Sequence, residues 1–270
     1  MKNSNEYIEI FAKYDTYQTS SKFVHPLPNA TISFYMKLLR IILYSNKWAK
    51  KGIYDRYKWV YSSVNIFRAL ERVGIQFEME GMSNLTKTDK PGILVGNHMS
   101  TLETLILPGI VQPVRNIAFI MKSELLDLPL MGAITGARHP IVVGRTNPRE
   151  DFKIVLNEGA KRLNDGWSIV VFPQKTRSPK FDAQSFNTIG IKLAKRNNVP
   201  VIPFALVTDA WENGKKIKDF GKIKTSKKVH FAFGEPLTIS GSGAEEHSKV
   251  LDFIEQKFLD WGRKELIVQQ

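Results

Sequence analysis

The sequence predicts an α/β fold, a mostly parallel central sheet flanked by helices, with an N-terminal helical hairpin ahead of it. Three observations carry this expectation. From residue 75 onward, short apolar runs alternate with stretches of helical period, as in a sheet covered by helices. Polar and charged residues follow directly on the apolar runs, where open α/β sheets hold their chemistry. Before residue 75, two long helical segments are parted by Gly52 and closed by Gly74. The expected division is a loosely ordered segment over 1–30, an amphipathic helical hairpin over 31–74 and the α/β domain over 75–270.

Composition narrows the partners. The 270 residues hold 39 Lys and Arg against 26 Asp and Glu, a formal charge of +13, so an anionic partner is expected: a phospholipid surface, a phosphorylated substrate or nucleic acid. The absence of cysteine excludes disulfides, a thiol nucleophile and thiolate metal sites. The five histidines lie far apart and show no ligand spacing, so no metal is expected. Lysines are dispersed instead of interleaved with aromatics on a nucleic-acid module, which sets nucleic acid aside. The N-terminal residues lack the apolar core of a signal peptide, and no apolar run reaches the roughly eighteen residues of a spanning helix.

In the hairpin, residues 31–49 are apolar nearly all round, and Lys37, Arg40, Lys47 and Lys51 are spaced to form one stripe. That pattern suits a helix lying in a bilayer interface, with cations on lipid phosphates and rings in the acyl boundary. The alternative is a pair of helices covering a soluble sheet with the stripe solvated. A second helix is expected over 53–73, with Tyr57, Val60, Val64, Phe67 and Leu70 along one side.

Further on, Ile75, Phe77 and Met79 alternate with polar residues as in a half-buried strand, and residues 92–95 form a short buried one. A helix follows from residue 102. Strands are expected over 115–121, ending in Lys122, and over 141–143, followed by Arg145; a helix covers 148–164. The apolar run 167–172 delivers Pro173, Gln174, Lys175, Thr176 and Arg177 at its end. A basic helix over 186–196, a strand over 198–206, a lysine-rich excursion over 213–228, a strand over 229–233 and a helix over 245–268 complete the chain.

His98 falls at the turn between the strand ending at Val95 and the next helix. Glu103, in the first turn of that helix, has the reach to hold one imidazole nitrogen and leave the other to take a proton. Ser100-Thr101-Leu102-Glu103 equally fits a capping box, in which Glu103 only satisfies the helix start. Arg145 and Arg177, each placed after a strand, are suited to bind phosphate, and Lys122 to place an ammonium near the same edge.

Four segments in this order resemble the glycerolipid acyltransferases of the 1-acylglycerol-3-phosphate type. Asn97-His98 with Glu103 is similar to their first block, a histidine followed after four residues by an acid. The region ending at Arg145 resembles the second block, Phe172-Pro173-Gln174-Lys175-Thr176-Arg177-Ser178 the third, and Val199-Pro200-Val201-Ile202-Pro203 the fourth. Lys122-Ser123-Glu124-Leu125 resembles a further family segment. Two departures stand out: glutamate at 103 where aspartate is commoner, and Gln174-Lys175 where Glu-Gly is usual.

The resemblance implies that residues 75–270 are a catalytic domain in which His98 and Glu103 act as a general-base pair. Lys122 becomes an oxyanion or donor-side candidate. Arg145, Lys175, Thr176 and Arg177 would hold the acceptor's phosphate, while Asn97, Pro173, Gln174 and Pro203 shape the loops. It further implies acyl-CoA or acyl carrier protein thioester as co-substrate with no cofactor, a lyso-lipid acceptor and phosphatidic acid as product; the helix over 31–49, and not the resemblance, carries the expectation of peripheral attachment to an anionic phospholipid membrane at the cytoplasmic face. Gln174-Lys175 keeps a different lyso-lipid acceptor open, and a catalytically inactive membrane-binding relative is the remaining alternative.

Overall fold

The computed structural model describes residues 2–24, 29–144, 146–215 and 217–269. Where a loosely ordered lead-in is expected, helix α1 (Lys2–Lys13) and the short strand β1 (Tyr17–Gln18) are packed onto the molecule. Tyr7, Phe11 and Tyr17 are buried and each meets the ring of Phe67 at 5.3–5.6 Å between centroids. Beneath them lies the fully buried carboxylate of Glu71, which accepts hydroxyl hydrogen bonds from Tyr7 at 2.5 Å, Tyr17 at 2.6 Å and Thr19 at 2.6 Å. Burial pushes the Glu71 carboxyl above its ordinary range even against those three donors. Phe67 and Glu71, on which these residues pack, are fifty or more positions away, which is why the segment's polar composition concealed its order.

The hairpin comprises α2 (Ala30–Lys50) and α3 (Arg56–Arg72). Asn29 and Asp55 cap them, accepting the backbone N–H of Ile32 at 3.0 Å and Lys58 at 2.9 Å. Gly52 takes φ 68° to turn the chain between them. Helix α2 buries Phe34, Leu38 and Ile41 but leaves Ile32, Met36, Leu39 and Leu43 at 49–70% exposure, an apolar stripe at helical spacing. Among the described residues no helix is long and apolar enough to cross a membrane.

The remaining chain alternates strand and helix: β2 (Phe77–Glu80), β3 (Ile93–Gly96), α4 (Leu102–Val111), β4 (Ile117–Lys122), α5 (Gly132–Gly136), β5 (Ile141–Val143), α6 (Pro148–Asn164), β6 (Ser168–Val171), α7 (Ile189–Asn197), β7 (Val201–Val207), β8 (Val229–Phe233) and α8 (Ala244–Asp260). They build an eight-stranded mixed sheet in the order β1-β2-β8-β7-β3-β6-β4-β5. The β1–β2 and β7–β8 pairs are antiparallel and the others parallel. Every residue of β3, β6 and β7 is buried, as continuous apolar runs require when helices cover both faces. The chain passes from β3 out to β4 and β5, returns to β6 and then lays β7 on the other side of β3. Loops from β3, β6 and β7 therefore meet at one carboxyl edge, at the point where the strand order reverses.

One further expectation needs correction. The last helix stops at Asp260 instead of running to 268, because Gly262 at φ 68° turns the chain back and lets Val268 N–H reach the Phe181 carbonyl at 2.9 Å. The excursion over 213–228 is tied to the hairpin: Tyr35 donates its hydroxyl to the Gly221 carbonyl at 2.7 Å, and Ile223 N–H donates to Thr31 Oγ1 at 3.1 Å.

Candidate active site

Asn97 follows β3 directly and closes the gap to β7 with its side chain. Its amide donates to the Leu206 carbonyl and its oxygen accepts the Leu206 N–H, both at 2.9 Å, so a buried side chain extends the ladder by one rung. The next residue is thereby aimed off the sheet edge. His98 leaves the ladder with its side chain 19% exposed, and its ring stacks on Phe172 with centroids 4.3 Å apart and planes 18° from parallel.

His98 Nδ1 lies 2.8 Å from Oε1 of Glu103, which is fully buried at the start of α4. The same oxygen accepts the backbone N–H of Met99 at 2.7 Å and of Ser100 at 2.8 Å. Oε2 accepts the hydroxyls of Thr208 at 2.7 Å and Ser100 at 3.0 Å. One carboxylate therefore makes both contacts expected as alternatives, to the His98 ring and to the backbone N–H groups at the helix start. Burial alone would raise the Glu103 carboxyl, but the hydrogen bond and charge of His98, the Thr208 hydroxyl and the Ser100 N–H together hold it below the ordinary carboxylate range. Beside an ionised Glu103 the neutral imidazole is best served by hydrogen on Nδ1, which leaves the lone pair on Nε2.

The loop after β6 supplies the next groups. Gln174, 5% exposed, turns inward and accepts the backbone N–H of His98 at 2.6 Å, while His98 accepts at its carbonyl from Ser178 N–H at 2.9 Å. Pro173 is buried, and its carbonyl accepts from the Asn187 side-chain amide. Lys175 and Thr176 are exposed and Arg177 half-buried. Arg177 Nη1 donates to Thr101 Oγ1 and to Oδ1 of Asp219, the latter at 2.6 Å; Thr101 Oγ1 donates to the same carboxylate oxygen at 2.7 Å. Burial raises the Asp219 carboxyl, yet Thr101, Arg177 and the nearby His98 bring it below its ordinary range. Arg177 is thus brought beside the turn that carries His98.

The other sequence-derived candidates fall further out. Lys122 ends β4 on the same sheet edge, two strand positions from β3, roughly 10 Å by ordinary strand spacing. It is exposed, and among the described residues no hydrogen bond or ion pair joins it to His98. Pro203 sits inside β7 opposite Val95, its carbonyl accepting Gly234 N–H at 2.8 Å. Arg145 lies outside the described residues. Sequence reasoning missed Thr208 and Asp219. Thr208 follows an apolar strand directly, as His98 nearly does, so the strand-end rule could have found it. Asp219 is the sole acid within 213–228.

Residues 76–207 match the acyltransferase family. The chain is 32% identical over 132 residues to the 1-acyl-sn-glycerol-3-phosphate acyltransferase of Pseudomonas aeruginosa, covering 49% of each chain. It is 29% identical over 155 residues to a probable 1-acyl-sn-glycerol-3-phosphate acyltransferase of Mycoplasma pneumoniae, covering 56% of each. The chain thus spans about half the length of the curated relatives it matches. The fold of this chain is similar to that of a solved structure, the 1-acyl-sn-glycerophosphate acyltransferase PlsC from Thermotoga maritima. The two align with a TM-score of 0.65 at 22% identity, over 86% of this chain and 95% of that one.

Proposed function

We propose that this chain transfers a fatty acyl group from an acyl thioester to the free hydroxyl of 1-acylglycerol 3-phosphate, giving phosphatidic acid. The observation that carries the reading is the 2.8 Å contact between His98 Nδ1 and the buried, ionised Glu103. In this reading His98 Nε2 removes the proton of the acceptor hydroxyl as its oxygen attacks the thioester carbonyl. The tetrahedral intermediate collapses by breaking the carbon–sulfur bond, and the departing thiolate takes the proton from the imidazolium. No covalent enzyme intermediate is formed. Lys175, Thr176 and Arg177 meet the acceptor's phosphate, with Arg145 as a further candidate. Lys122, two strands away, is assigned to the donor thioester.

The exposed stripe of Ile32, Met36, Leu39 and Leu43, with Tyr57 at 74% exposure, supports peripheral docking on a phospholipid surface. A second acceptor class stays in view because Asp219 already neutralises Arg177, which suits a lyso-lipid of lower charge. An assay of purified chain with acyl-CoA and acyl carrier protein donors against a panel of lyso-lipids decides between them. The highest kcat/KM is expected for 1-acylglycerol 3-phosphate. Preference for a zwitterionic or amino-acid lyso-lipid would replace the acceptor named here.

A further inference from the structure

Between α2 and α3, away from every residue of the candidate active site, lies an open groove of about 830 Å³. Its walls are two facing stripes at helical spacing, Lys37, Arg40, Tyr44 and Trp48 from α2 and Tyr61, Arg68 and Arg72 from α3, closed by Tyr7, Lys22 and Phe23 of the N-terminal segment. The antiparallel run of the helices sorts these residues. Lys37 and Arg40 face the end of α3 that bears Arg68 and Arg72, whereas Tyr44 and Trp48 face Tyr61. The three rings form one cluster, with centroids 4.8 Å (Tyr44–Trp48), 6.2 Å (Tyr44–Tyr61) and 6.1 Å (Trp48–Tyr61) apart. One end of the groove is therefore cationic and the other aromatic.

The protein offsets the cationic end only in part, since the charge of Arg68 also acts on the buried Glu71 carboxyl. Among the described residues no acidic side chain lines the groove. Lys22 pairs loosely with Glu6 at 3.6 Å, and Arg68 lies over the Tyr7 ring at 5.8 Å. Holding this many like charges together is unfavourable until an anion joins them, and guanidinium pairs match phosphate oxygens best. On α2 the groove residues lie on a face adjoining the exposed stripe of Ile32, Met36, Leu39 and Leu43. A helix resting on that stripe would thus hold the groove at the depth of lipid headgroups, where Tyr and Trp rings are favoured. Its size is that of a site for one small molecule, larger than a phosphate alone needs.

We infer that this groove is a discrete binding site for an anionic phospholipid, its phosphate among Lys37, Arg40, Arg68 and Arg72 and its glycerol and upper acyl carbons along Tyr44, Trp48 and Tyr61. The inference does not depend on acyl transfer, since binding is read without a thioester donor.

The test titrates the full chain with dioctanoyl phosphatidic acid below its aggregation threshold and follows Trp48 emission, taken as the difference from a Trp48→Phe variant. Saturable binding is expected, weakened at least about tenfold in the Arg40→Gln/Arg68→Gln double variant and unaffected in Arg177→Ala. Equal affinity for dioctanoyl phosphatidylcholine would refute charge recognition. Full competition by glycerol 3-phosphate or inorganic phosphate at the same concentrations would show a site for free phosphate and overturn the lipid assignment. If the double variant fails to fold, the unmodified chain still decides: affinity must fall as salt rises, and salt-independent binding or none overturns the proposal.

Discussion

The side-chain carbonyl of Gln174 lies 2.6 Å from the backbone nitrogen of His98 and is almost wholly buried. The family pattern places a glutamate here, yet the position is used for accepting one N–H, a task an amide performs without a charge to desolvate. Gln174→Ala leaves that N–H without its acceptor, a loss of about 1–3 kcal/mol. Turnover should drop roughly tenfold or more while acceptor KM changes little, because the change moves the base and not the phosphate groups. Gln174→Glu should restore most of the rate. A Gln174→Ala variant altered only in acceptor KM would place this residue at the acceptor instead.

Arg177 and Asp219 make a paired prediction. A phosphate that reaches Arg177 has to compete with the Asp219 carboxylate. Arg177→Ala should raise acceptor KM on the order of tenfold or more, from the loss of charge-assisted hydrogen bonds. Asp219→Asn should lower it for a phosphomonoester acceptor. Steady-state kinetics with varied acceptor at saturating donor checks both, and a raised KM in Asp219→Asn would show that Asp219 orders the site instead of competing for it.

The pH dependence follows from the sign of the Glu103 shift. A carboxyl held below its ordinary value of 4.5 contributes stability that is fully present above that value and is lost as pH falls through the lower folded value. The stability difference between the unmodified chain and Glu103→Gln should therefore be constant through the neutral range and shrink in acid below about 4.5. Urea denaturation at a series of pH values measures it. A difference that grew in acid would mean that Glu103 is protonated in the folded chain.

Glu71 has the opposite sign, and its role is structural. Its carboxylate gathers the hydroxyls of Tyr7, Tyr17 and Thr19 and so clasps the N-terminal segment to α3. Glu71→Ala strands those hydroxyls and should cost about 1–3 kcal/mol. Proteolysis should then open the chain first near residues 14–24. Unchanged protease resistance would show that the aromatic cluster alone holds the segment.

What the sequence disclosed follows from the range of the interactions involved. The strands β3, β6 and β7 are legible because both faces are buried, and the His98–Glu103 pair because only four residues separate its members. Gln174 reads as a departure from a pattern when only its type is known; its inward turn toward His98 is visible only once β6 is laid beside β3. Thr208 and Asp219 reach Glu103 and Arg177 across more than forty residues, and no local period announces such contacts. The N-terminal clasp was hidden for the same reason, its polar composition giving no sign of the buried acceptor on α3.

The most direct measurement is single-turnover acyl transfer by His98→Ala, with folding verified by its thermal transition. Removing a general base should reduce the chemical step by about 10²–10⁴-fold while the protein still binds acceptor and phospholipid vesicles. Transfer at the unmodified rate by a folded His98→Ala chain would contradict the assignment of His98 as the base.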